Sequence, residues 1–139
     1  MRTKAWFVLV TGFGLILAAS AVIPVYAHHA FNAQYDRNKP ITLMGPVTKI
    51  DWINPHARFF MEAKDANGAT FNWEVELAAP AMLMRRGWTR TSLKIGAVVT
   101  VSAFLAKDGS KLANASTVTL STGEKVFAGS SAGDESPTP

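Results

Sequence analysis

From Ala57 to Leu77 apolar side chains fall on every second residue on both sides of one glycine turn, and this pattern restricts the fold more than any other stretch. Ala57, Phe59, Met61 and Ala63 alternate with Arg58, Phe60, Glu62 and Lys64. After Asp65-Ala66-Asn67-Gly68, Phe71, Trp73, Val75 and Leu77 alternate with Thr70, Asn72, Glu74 and Glu76. A period of two belongs to a half-buried strand, because successive side chains of an extended chain point to opposite faces. Asn-Gly readily takes the positive φ angles of a tight turn, so the two runs predict a β-hairpin with one apolar face. Glu74 and Glu76, opposite that apolar set, are expected to point to water.

The flanking segments extend the β pattern. Pro40 to Trp52 reads as a long strand bent at Gly45-Pro46, and Ile53-Asn54-Pro55 as the turn that follows it. Pro80 suits the first turn of a helix, Ala81 to Arg86 are good helix formers, and Gly87 stops them. Ala97 to Leu105 is a strand rich in β-branched residues, Lys107-Asp108-Gly109-Ser110 a second tight turn, and Ala115 to Leu120 the last strand, with Lys125-Val126-Phe127 as an extension. The order of three strands, a helix and two strands predicts an all-β domain with one short helix, over residues 28–127. Its expected form is a small five-stranded OB-like barrel, the architecture of oligonucleotide- and oligosaccharide-binding domains. A small antiparallel sandwich is the alternative. From Ala128 to Pro139 small and polar residues dominate, and a disordered tail is expected there.

The N-terminus reads as a secretory signal peptide. Arg2 and Lys4 precede an apolar run from Ala5 to Ala21, and Pro24-Val25-Tyr26-Ala27 supplies a helix breaker and a small residue before a cut after Ala27. Ala19 and Ala21 offer a competing upstream site, and an uncleaved anchor from Ala5 to Ala27 is the other reading. The expected location is periplasmic or secreted, with no stable membrane anchor after cleavage. The chain has no cysteine, which rules out disulfides, thiolate metal ligands and an acylated lipoprotein cysteine. Its formal net charge of +4 includes Arg2 and Lys4, so about +2 remains after cleavage, too little to imply nucleic acid.

Five segments carry a resemblance across nearly the whole of the cleaved chain. His28-His29-Ala30-Phe31, Trp52-Ile53-Asn54-Pro55-His56, Arg85-Arg86-Gly87-Trp88-Thr89, and Leu112-Ala113-Asn114-Ala115-Ser116 with Gly123-Glu124-Lys125-Val126-Phe127-Ala128 resemble an uncharacterised family of exported bacterial proteins, domain of unknown function 6152. The resemblance implies a small exported β domain and brings no activity, ligand or catalytic residue with it.

All three histidines stand in distinctive places. Cleavage after Ala27 makes His28 the first residue, whose amine and ring nitrogen chelate one metal ion, with His56, or else His29, as the further imidazole ligand. Cu(II) favours such tetragonal nitrogen ligation and heads the divalent affinity order, so copper is the first candidate ion and zinc the second. The arrangement looks like the histidine brace of copper-dependent polysaccharide monooxygenases and of some periplasmic copper-resistance proteins, in that first residue alone. The plainer reading is a solvated N-terminus and a His56 that caps a turn. Asp51, five residues before His56, is a candidate to orient its ring. Trp52, Phe60 and Trp88 are candidates for an exposed stacking surface, the basis of a metal-free alternative that binds a small ligand or a protein. Arg85, Arg86 and Arg90 form a basic cluster around Trp88, suited to an anionic ligand or a membrane surface or simply to the helix C-terminal dipole. No Ser/His/Asp grouping, phosphate-cradling glycine loop or helical His pair points to an enzyme.

Overall fold

In the computed structural model, which describes residues 31–129, the chain is mostly β with only short helical segments. Strands β1 (Tyr35–Asp51), β2 (Arg58–Lys64) and β3 (Thr70–Glu76) are followed by helix α1 (Pro80–Arg85), then β4 (Val98–Ala106), β5 (Leu112–Thr119) and the short β6 (Lys125–Phe127). The expected signal peptide lies outside the described residues.

All six strands belong to one sheet in the order β3-β2-β1-β4-β5-β6. Neighbours pair antiparallel, and an additional parallel pairing joins β3 to β5 through Glu74↔Leu112, Val75↔Ala113 and Glu76↔Asn114. A single sheet does not match the two-sheet sandwich that the sequence left open. The sixth strand adds to the five expected, and β1 starts five residues earlier than the sequence suggested, at Tyr35.

The hairpin forms as the alternation dictates. The Asp65 carboxylate accepts the backbone N–H groups of Asn67 and Ala69, and Gly68 takes φ +81°. The register then pairs Phe59 with Val75 and Met61 with Trp73, all buried, while the Trp73 indole donates to the Ala63 carbonyl at 3.2 Å.

Strand β1 is long because it serves two partners: Pro40 to Pro46 pair with β4, and Val47 to Asp51 with β2, with a register shift between Val47 and Lys49. Gly45 sits where the chain changes partner. A Cβ there would lie 1.8 Å from the Glu62 carbonyl oxygen, so only glycine lets the two backbones approach.

The main core gathers Leu43, Val47, Phe59, Met61, Trp73, Val75, Val101 and Val118, among others, with Leu83 of α1 and Trp88 and Leu93 of the following connection packed against it. Ala128 also belongs to this core. Its N–H donates to the Ser116 carbonyl and its carbonyl accepts from Ala78, so Ala128 and Gly129 are part of the folded chain and not the start of a tail. Residues 130–139 lie outside the described residues. A second, smaller cluster holds Phe31, Tyr35, Phe104 and Ala106.

Candidate functional site

Glu76 ends β3 and is only 4% exposed. The alternation assigns it to the hairpin's polar face, and that expectation is corrected: the carboxylate is buried. Phe104 and Asn114 are paired across β4 and β5, and Asn114 is in turn the partner of Glu76. Over this side of the sheet lies the chain from Phe31 to Tyr35, with the Tyr35 ring 5.4 Å from Phe31 and Phe31 edge-on to Phe104 at 6.0 Å. The polar face is therefore polar by pattern and covered by the chain that precedes β1.

A buried carboxylate must be matched by donors, since burial of an unpaired charge is costly. Four groups surround this one. The His56 Nδ1–H donates to Oε1 at 3.0 Å, the Asn114 amide donates to the same oxygen at 3.2 Å, and an Arg58 nitrogen lies 3.5 Å from Oε2. Arg58 also binds Glu74 at 2.5 Å. The Tyr35 hydroxyl is buried beside the cluster without a well-formed hydrogen bond, yet close enough for burial and the Glu76 charge to push its pKa well above the usual phenol value.

Local backbone bonds hold His56 in place. Its neighbour Ala57 donates to the Ala78 carbonyl and accepts from Leu77, which fixes the end of the β1–β2 turn beside the end of β3. The hydrogen bond to Glu76 raises the His56 pKa, against the opposing effect of partial burial. Burial is the largest influence on Glu76 and would raise its pKa, but the hydrogen bond and charge of His56, with Arg58, outweigh it and leave the pKa lowered. With Nδ1–H committed to the carboxylate, the neutral ring presents Nε2 as its lone-pair nitrogen. The side chain is 39% exposed, so the ring is partly open to solvent.

The other candidate residues are distributed differently. His28 and His29 lie outside the described residues, and among the described residues no group of three or more His, Asp and Glu side chains is arranged to hold a metal. Asp51 binds Lys49 at 2.7 Å, and the carboxylate on His56 is Glu76 instead. Trp88 is 2% exposed and is a core residue, so it offers no stacking surface. Trp52 is half-buried against the core, its indole N–H without a partner among the described residues. Phe60 is half-buried on the outer face with the Lys49 ammonium 4.9 Å from its ring centre.

Tyr35, Arg58, Glu76 and Asn114 were not singled out as site residues by the sequence. The hairpin did hold a signal for one pair: a turn centred on Asn67 places Arg58 opposite Glu76, a basic residue facing an acid. No curated protein and no solved structure matches this chain. A family model matches residues 16–115, and the chain belongs to that family, described as a family of unknown function, DUF6152.

Proposed function

We propose that the chain is an exported OB-like barrel that binds copper in the periplasm or outside the cell, through His28 at a cleaved N-terminus and His56. The barrel reading is supported by the pairings, which run β3-β2-β1-β4-β5 and return to β3. The copper reading rests chiefly on one observation: His56 donates Nδ1–H to a buried carboxylate, the arrangement that fixes the tautomer and direction of metal-binding imidazoles. The anchoring of Phe31 next to Tyr35, on the same carboxylate cluster, supports it further. Phe31 lies three positions after His28, a reach of about 10 Å when extended. The metal-free alternative keeps only Phe60 and part of Trp52, because Trp88 is buried. Binding, not catalysis, is the role proposed.

The test is the intact mass of protein exported by its own N-terminal segment, followed by Cu(II) titration of that sample. A mass beginning at His28, with one-to-one binding tighter than micromolar that is lost in both His28→Ala and His56→Ala, is the expected result. A different start, or binding that survives His56→Ala, overturns the joint site.

A further inference from the structure

The connection from Ala81 to Gly96 contains Arg85, Arg86, Arg90 and Lys94 and no acidic residue, so it accounts for the whole formal net charge of +4 while the remaining residues balance. Its burial pattern sorts the segment cleanly. Leu83, Trp88 and Leu93, five residues apart, are buried in the core, whereas Met84, Arg85, Arg90, Lys94 and Ile95 are all exposed. Met84 is 53% and Ile95 70% exposed, two of the few large apolar side chains that the fold leaves in solvent. Three buried anchors thus hold a connection whose outer side combines cations with uncovered apolar side chains.

We propose that this connection, α1 and the loop that leads to β4, docks the protein reversibly on an anionic lipid surface. The cations supply attraction to phosphate headgroups, and Met84 and Ile95 supply apolar area to enter the boundary beneath them, the two ingredients of interfacial binding. A single-stranded nucleic acid or other flexible polyanion fits less well. Such ligands stack on exposed aromatic rings, and the aromatic residue of this connection, Trp88, is turned into the core. The attachment proposed is peripheral, through the exposed side chains of this connection alone. This inference stands independently of copper.

The experiment is co-sedimentation of the exported protein with phosphatidylcholine vesicles prepared with and without phosphatidylglycerol, at low and high salt. The Arg90→Ala/Lys94→Ala and Met84→Ser/Ile95→Ser variants are compared from the same N-terminus, with thermal melts to confirm that each is folded. Binding is expected only with phosphatidylglycerol. Each cation is worth about fivefold in partitioning, so the first variant should bind about 25-fold more weakly at low salt. The second should also lose affinity, by about tenfold, with little change in salt dependence. Absence of binding, binding that neither variant weakens, or binding to soluble heparin in place of vesicles would overturn the proposal.

Discussion

Glu76 shows how one residue's surroundings decide its chemistry. Its three donors come from the β1–β2 turn, from β2 and from β5, so the carboxylate links segments distant in sequence. Glu76→Gln keeps the shape but removes the charge that Arg58 and His56 face, and is expected to cost about 2–3 kcal/mol in urea unfolding. The His56 pair also has a defined pH signature. Because the pKa of His56 is raised in the folded state, its stabilisation is complete below the unfolded value of 6.5 and is lost as pH rises through the raised one. Because the pKa of Glu76 is lowered, its contribution is complete above 4.5 and is lost as pH falls through the lowered value. The difference in melting temperature between wild type and His56→Ala should therefore be greatest between those two values and shrink toward alkaline pH. A difference that grows steadily above neutrality would contradict the hydrogen bond. Gly45 gives a second residue-scale test. Gly45→Ala drives a methyl group against the Glu62 carbonyl, and the expected loss is about 3 kcal/mol or more. Gly68→Ala, which meets no atom within 4 Å, should cost only the strain of its positive φ, about 1–2 kcal/mol.

At the scale of elements, legibility followed the apolar period. The hairpin, the helix begun by Pro80 and the β4 strand all stand within a residue or two of where alternation and turn residues put them, because each buries one face against the same core. The start of β1 was not legible: Tyr35 to Lys39 is polar in composition, and its extended form depends on pairing with Ala106 at the far end of β4. The candidate site was hidden for the same reason. Alternation assigns Glu76 to a face, but whether that face is wet depends on Phe31 and Tyr35, some forty residues earlier in the chain. Trp88 failed as a surface candidate for the converse reason, since the apolar side of the α1 connection is set by a five-residue spacing that neither helix nor strand periodicity reveals. Phe31→Ala tests the covering segment directly. Loss of a buried aromatic from this small cluster should destabilise by about 2–4 kcal/mol and, on the copper reading, weaken Cu(II) binding as well. A Phe31→Ala protein that is less stable but binds Cu(II) unchanged would separate the covering segment from the metal site.

For the whole molecule, the decisive contact is the parallel pairing of β3 with β5, because the proposed barrel depends on it. Residues near the edge of an open sheet open locally and exchange their amides without unfolding the rest. In a closed ring the same amides open only when several strands separate. The Glu74 N–H, which donates to the Lys111 carbonyl at 2.9 Å, lies at that junction and reports on it. If the ring closes in solution, its exchange should follow global unfolding, with the same free energy and denaturant dependence as the Met61 and Val101 amides of the core. Exchange several kcal/mol easier than the core, insensitive to denaturant, would mark β3 as an open edge and remove the barrel from the account. The outcome also bears on the site. Glu76 takes its Asn114 contact from the same pairing, so a junction that opens locally would expose the carboxylate with it and leave His56 without a fixed partner.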